Sequence, residues 1–232
     1  MTFLQPKLEN TDFPNIAGKS VLVVGGTSGM GKAVAIICKD LGADVTVIGR
    51  NRCDLDVLQI TEDVVENPDK IEPYFIGKNY VFNNIGFYYQ GTILETDTNT
   101  FLRVINRNLT IAHILTRYAL KHVKEVVVNM SSRPTLEKYH SWSAYTLAKQ
   151  GVITLTQAAA EEGSIKCYAV CPSRVDTKFR DALFPDENKD TRLSPEAVAE
   201  LVVRLFNGKN PNGQHYWVKQ LTNQTKSCYT AN

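Results

Sequence analysis

Tyr145 and Lys149 stand four residues apart in Ser143-Ala-Tyr-Thr-Leu-Ala-Lys149. On a helix that spacing puts the phenol and the ammonium on one face, a turn apart. A phenol with an ordinary pKa of about 10 exchanges protons poorly at neutral pH. A neighbouring cation favours the phenolate, which makes Tyr145 a candidate proton donor and acceptor. Many helices carry a Tyr and a Lys at this spacing, so the pair gains its weight from company. Asn129-Met-Ser-Ser132 ends the apolar run before it, and Asn83-Asn-Ile-Gly86 ends an earlier one. Both sit where α/β sheets place their sites, at the carboxyl edge of strands. Asn108 lies in the helical pattern between them.

A second constellation follows the first apolar run. Gly25-Gly-Thr27-Ser28-Gly29-Met30-Gly31 leads directly into the helix-period stretch Lys32-Ala-Val-Ala-Ile-Ile. Glycines let the backbone turn sharply and approach a pyrophosphate, and the following helix offers free N–H groups and a positive dipole end. Ile48-Gly49-Arg50-Asn51 closes the second apolar run. An acidic residue there would bind a ribose 2′-hydroxyl and repel a 2′-phosphate. Gly49 removes that carboxylate, and Arg50 offers a charge-assisted fork to the phosphate, with Thr27 and Ser28 as hydroxyl donors. NADP(H) is therefore expected rather than NAD(H).

Apolar, β-rich runs at 20–24, 44–48, 80–82, 125–129, 166–170 and 215–218 alternate with helical stretches near 30–42, 98–121, 143–162 and 195–207. That alternation predicts one α/β domain over residues 1–232, a Rossmann-type, doubly wound parallel sheet with helices on both faces. Ser194-Pro195-Glu196 carries a helix start signal. Between Arg50 and Asn83 there is room for one strand and one helix. Asp54-Leu-Asp-Val57 is read as the third strand, entered almost directly from the second. Residues 176–193 show no apolar period and are read as a mobile loop over the site, and 1–17 as an N-terminal arm without the order of a signal peptide.

The 232 residues are 43% apolar and 22% charged with net charge +2, which argues against nucleic acid or an anionic membrane surface as partner. The longest apolar runs fall short of a membrane span of about 20 residues. Five scattered cysteines fit buried thiols and a reducing cytoplasm. Cys167 and Cys171 lie four apart on a strand, too distant for one ion, and no metal site is expected.

These motifs, in this order, resemble those of the short-chain dehydrogenases/reductases from about Gly18 to Val218. The glycine loop matches their TGxxxGxG pattern with Val24 for Thr, Asn83-Asn-Ile-Gly86 their NNAG, and Tyr145-Thr-Leu-Ala-Lys149 their YxxxK. Ser132 and Asn108 match the serine and asparagine of the family's tetrad. The resemblance implies that Ser132 and Tyr145 hold a substrate carbonyl oxygen while NADPH delivers hydride and Tyr145 protonates the alkoxide. It implies that Lys149 holds the nicotinamide ribose and that Asn108 positions a water in a proton relay. Asp56 and Val57 would flank the adenine, Asn84, Ile85 and Gly86 would line the cleft, and Pro172, Ser173, Val175 and Thr177 would border the nicotinamide. Pro172-Ser173 replaces the family's Pro-Gly, and Lys219-Gln-Leu stands where Asp-Gly-Gly is usual, which puts the standard tetramer contacts in doubt. A homodimer through 98–121 and 143–162, or a homotetramer, is implied.

Arg133, Lys178 and Arg180 cluster near the site, as ordinary solvated charges or as an anion-binding lid for a phosphorylated or carboxylated substrate. The short 50–83 region, Thr177-Lys-Phe-Arg180 with Phe184, and Leu193-Ser-Pro-Glu-Ala-Val-Ala199 are similar to reductase domains that make ribitol phosphate. His140 could reach the pocket, although a surface or packing role is commoner for a lone histidine. Trp142 and Tyr139 are pocket wall or core. Two readings compete with a carbonyl reductase. One is a non-catalytic NADP(H) sensor or scaffold, which would not need all four catalytic types. The other is a sugar-nucleotide-modifying relative, which usually has a longer C-terminal part.

Overall fold

The computed structural model describes residues 13–133, 140–221 and 224–231, with 219–221 and 224–231 as backbone only. Most of the expected arm, Tyr139 and the side chain of Cys228 lie outside the described residues. Val21 to Val24 are all fully buried, as a strand covered on both faces must be. This is β1 (Ser20–Val24), at the centre of an eight-stranded sheet in the order β3-β2-β1-β4-β5-β6-β7-β8. The parallel strands are β1, β2 (Asp44–Gly49), β3 (Leu58–Thr61), β4 (Tyr80–Asn83), β5 (Val126–Met130), β6 (Lys166–Pro172) and β7 (His215–Leu221). The eighth, β8 (Gln224–Ala231), runs antiparallel to β7 and has no counterpart among the expected strands.

Alternate strand residues feed two cores. Val21 and Val23 pack with α1 (Gly29–Asp40) and α6 (Pro195–Leu205), while Leu22 and Val24 face α3 (Ile111–His122) and α4 (Ser143–Glu162). Ser194 caps α6, its hydroxyl accepting from the Ala197 N–H at 3.1 Å, with Pro195 at the first helical position. The expected helix over 98–121 is three pieces: α2 (Thr98–Ile105), a π turn over Asn106–Thr110, and α3.

The third strand is Leu58–Thr61 rather than 54–57, in register with β2 at Val47↔Gln59. Aspartates are poor strand formers, and Asp54 and Asp56 instead pair with Lys32 and Lys39 along α1. The Gln59 side chain secures the linking loop: its Oε1 accepts from Cys53 N at 2.9 Å and its Nε2 donates to Cys53 O at 3.0 Å. The helix usually found between the second and third strands is absent, as the short interval implies. Residues 176–193 are also more ordered than the apolar pattern suggests, with α5 (Lys178–Leu183) and a 3-10 turn at Lys189–Thr191. The sheet order reverses direction between β1 and β4, and the crevice outside their carboxyl ends is where such folds bind ligands.

Candidate active site

The glycine loop meets β4 at that reversal. Asn84 N donates to Val24 O at 2.9 Å and Asn84 Nδ2 to Gly25 O at 3.1 Å. A Cβ on Gly31 would fall 2.1 Å from the Gly25 carbonyl oxygen, so only glycine lets the loop fold back on the first turn of α1. Ser28 sits at the N-cap with extended backbone but makes no side-chain cap, which leaves the helix N-terminus to an external acceptor. A Cβ on Gly49 would lie 2.5 Å from Thr27 Oγ1, so Thr27 occupies the space of any side chain at the end of β2. Arg50 and Asn51 are exposed there, and among the described residues Arg50 makes no ion pair. These features fit a dinucleotide.

Asp56 and Val57 do not reach this crevice. They precede β3, at its amino end, and Asp56 is fully exposed and paired with Lys39 at 3.7 Å. The chain that leaves the carboxyl end of β3 is Glu62-Asp63-Val64, with Val64 buried and Asp63 Oδ1 accepting from Val65 N at 3.0 Å. The signal was the apolar Leu58-Gln-Ile60 itself, overlooked because the run is short.

Lys149 lies on the buried face of α4, its Nζ donating to Met130 O at 3.0 Å and Ile85 O at 3.3 Å. Burial holds its pKa down at about 8, against a smaller opposing pull from Cys171. Ser131 Oγ donates to Lys149 O at 2.8 Å, fixing α4 to the end of β5. One turn earlier on α4, Tyr145 hydrogen-bonds Ser132. Burial pushes the Tyr145 phenol up, and the Ser132 hydrogen bond and the Arg180 charge oppose it. The cation that acts on the phenol is Arg180 of the loop over the site, where the sequence pointed to Lys149, and burial outweighs it.

Asn108 sits in the π turn, and such turns often mark functional sites. Its amide is consumed by backbone: Nδ2 donates to Phe87 O at 2.7 Å and Val104 O at 2.9 Å, and Oδ1 accepts from Phe87 N at 3.0 Å. Its side chain therefore clamps the strand-end loop at Phe87. Beneath it, Asn83 Nδ2 donates to Asn129 Oδ1 at 2.9 Å and Asn129 Nδ2 to Thr156 Oγ1 at 3.1 Å, joining β4, β5 and α4 through buried polar groups. Beside β6, Ser173 N donates to Val218 O at 2.9 Å, and Val175 bridges to Leu193. Thr177 caps α5 through Oγ1, and its methyl group lies against Gly29. Met30 packs against the core on the α1 side.

The loop over the site is built on Arg192, whose side chain is fully buried. It pairs with Asp176 at 3.0 Å, Asp181 at 2.6 Å and Glu187 at 3.0 Å, and donates to Phe184 O at 3.1 Å. Glu187 in turn takes both arms of Arg180, at 2.8 and 2.7 Å, and stands 3.4 Å from Arg174. Residue spacing gave no hint of this hub, because its members lie in an aperiodic segment. Lys178 and His140 are exposed, and Ser141 Oγ lies 2.6 Å from His140 Nδ1. Arg133 is half-buried, next to Ser132. Tyr88, which the sequence reading passed over, rests on Tyr145 with ring centroids 5.7 Å apart.

Residues 75–188 match the model of the short chain dehydrogenase family. The chain is 31% identical over 188 residues to 3beta-hydroxysteroid dehydrogenase of Mediterraneibacter gnavus, covering 70% of this chain and 68% of that one. It belongs to the short-chain dehydrogenases. It is also 25% identical over 226 residues to a 3-oxoacyl-(acyl-carrier-protein) reductase of Thermotoga maritima, covering 82% and 91% of the two chains. The ligand-free aldohexose dehydrogenase of Thermoplasma acidophilum shares the fold, with TM-score 0.78, 24% identity and coverage of 89% and 94%. The family is one of oxidoreductases that bind a nicotinamide cofactor. No helix among the described residues is long and apolar enough to cross a membrane.

Exchanging Arg192 for Met leaves Asp176, Asp181 and Glu187 without their common partner. Amide exchange across 177–191 should then accelerate while β1, β4 and β5 keep their protection. Equal exchange in the loop before and after the substitution would show that Arg192 does not hold it. In the intact protein the depressed carboxyls of Asp181 and Glu187 make the same contribution pH-dependent. It is complete above their ordinary carboxylate range and is lost as pH falls through the lowered values.

Proposed function

We propose that this short-chain dehydrogenase reduces the carbonyl group of a small molecule to an alcohol, or runs the reverse, with NADP(H). The observation that carries the reading is the hydrogen-bonded Ser132–Tyr145 pair one turn from the buried Lys149, at the sheet's ligand crevice. The Ser132 and Tyr145 hydroxyls would hold the carbonyl oxygen, and Tyr145 would pass its phenolic proton to that oxygen as negative charge develops there. When bound, the nicotinamide supplies the hydride to the carbonyl carbon. Lys149 is positioned to donate its remaining N–H to a ribose hydroxyl and to favour the ionised phenol after proton transfer. Asn108 keeps Ile85 to Phe87 in place, and Ile85 O is one of the two carbonyls that orient Lys149.

The choice of NADP(H) rests on the space filled by Thr27 at Gly49 and on the exposed Arg50. Gly25 to Gly31 would hold the pyrophosphate, Asn84 to Gly86, Pro172, Ser173, Val175 and Thr177 the nicotinamide half, and Asp63 and Val64 the adenine. The expected anion-binding lid keeps Lys178, which makes no ion pair among the described residues, whereas Arg180 is already engaged by Glu187. We also propose a dimer through α2 and α4, since Leu102 and Leu147 expose about half of their side chains there. Light scattering at micromolar concentration should give twice the 25.9 kDa chain mass. A value at the chain mass removes that proposal.

The phenol's raised pKa keeps the donor form present through neutral pH, so carbonyl reduction should be flat there. Alcohol oxidation needs the phenolate and should speed up as pH rises. Tyr145→Phe should lower kcat by about 10²–10⁴-fold in both directions without loss of NADPH binding. Arg50→Ala should weaken NADPH about tenfold or more and leave NADH unchanged. Initial rates with each cofactor from pH 6 to 10 test both. An unaltered kcat in Tyr145→Phe would reject the proton-transfer role, and tight NADPH binding with no turnover would favour a cofactor sensor.

A further inference from the structure

Three aromatic rings from three separate segments close on the catalytic phenol. Tyr88 comes from the link after β4, Trp142 immediately precedes α4, and Phe184 immediately follows α5. Tyr88 and Trp142 lie 5.7 and 6.0 Å from Tyr145 by ring centroid, and Tyr88 and Trp142 lie 5.1 Å apart, all edge-to-face. Phe184 covers both, at 5.6 Å from Tyr88 and 6.2 Å from Trp142. None of these contacts is needed for proton transfer.

The cluster is held from outside. Ser141 takes a φ of 66°, unusual for a residue with a side chain, and its carbonyl accepts from Gly91 N at 2.7 Å. Such strain persists only where surroundings impose it, and here it fixes the residue next to Trp142 and ties it to the Tyr88 loop. The Arg180 guanidinium stacks 3.8 Å over the outer face of Phe184 while Glu187 takes its hydrogen bonds. Arg174 and Arg192 are drawn to the same carboxylate. The cations of the cover are thus used to latch it.

We propose that Tyr88, Trp142 and Phe184 determine specificity, and that they select an uncharged carbonyl compound bearing a flat ring, to which Phe184 yields its place. The proposal rests on Tyr145 being the proton donor to a carbonyl. A flat ring that takes Phe184's place against Tyr88 and Trp142 makes edge-to-face contacts equivalent to those it replaces. A phosphate or carboxylate among the same rings loses its hydration, and Arg180, which stacks on Phe184, is already paired with Glu187. Phe184 is the natural part to move, because it ends a six-residue helix with no buried residue.

The test compares 2-tetralone, an uncharged ketone bearing a flat benzene ring, with dihydroxyacetone phosphate, using NADPH and the 232-residue protein. The expected kcat/KM favours 2-tetralone. Phe184→Ala, in which no ring has to be displaced, raises that ratio, whereas Trp142→Ala reduces it by up to about tenfold, through KM. Trp142→Phe should restore most of it. A preference for dihydroxyacetone phosphate, or a ratio unmoved by both alanine variants, overturns the proposal. Should NADPH bind without turnover of either ketone, the catalytic reading fails, and tryptophan fluorescence decides the specificity claim separately. Saturable quenching by 2-tetralone that is lost in Trp142→Phe and retained at equal or lower concentration in Phe184→Ala supports the aromatic site. Absence of saturable quenching rejects it.

Discussion

The ammonium of Lys149 is buried and held by the carbonyl oxygens of Met130 and Ile85. A buried ammonium without such acceptors would be costly, so these two bonds constrain everything around them. They draw the carboxyl ends of β5 and β4 to a single point on α4 and fix the helix's rotation about its axis. With that rotation set, Tyr145 has only one direction to face, toward Ser132 at the end of β5. Asn108 secures the Ile85 side of the arrangement, and Ser131 secures the backbone of Lys149 itself. The site is therefore held rigid around Tyr145 and Lys149.

Its cover obeys a different constraint. Residues 176–193 have little apolar surface, and they are ordered by charge around one buried guanidinium. Glu187 is largely buried, but Asp176 and Asp181 are 46% and 40% exposed, and ion pairs to such partners are weak holders compared with a packed core. A segment of that kind can open without disturbing the sheet, which suits an element that must admit a substrate. The same network places Arg180 near Tyr145, so the state of the cover and the acidity of the phenol are linked.

The parallel sheet and the strand-end and helix positions of Ser132, Tyr145 and Lys149 were legible because each rests on local pattern. Continuous valine runs become strands covered on both faces, and Gly25 to Gly31 have a backbone reason for their spacing. The third strand was misplaced by four residues because Asp54 and Asp56 alternate with Leu55 and Val57. That looks like a strand until Lys32 and Lys39 of α1 are seen to claim the aspartates. Asp56 and Val57 accordingly fall at the amino end of that strand, away from the crevice. Arg192 and Tyr88 were invisible for another reason. Their roles depend on segments distant in the chain being folded together, and no periodicity records that. β8 escaped notice because its polar sequence has no apolar alternation.

The central claim is that hydride reaches a carbonyl carbon in this crevice while Tyr145 supplies the proton. The most direct measurement uses NADPH with deuterium at both C4 positions of the nicotinamide and mass spectrometry of the alcohol formed from 2-tetralone. One deuterium on the carbinol carbon for each NADPH consumed, forming about 10²–10⁴-fold more slowly after Tyr145→Phe, is the result predicted here. An alcohol free of deuterium, or labelled NADPH that stays bound and unoxidised across a panel of ketones and aldehydes, would contradict it.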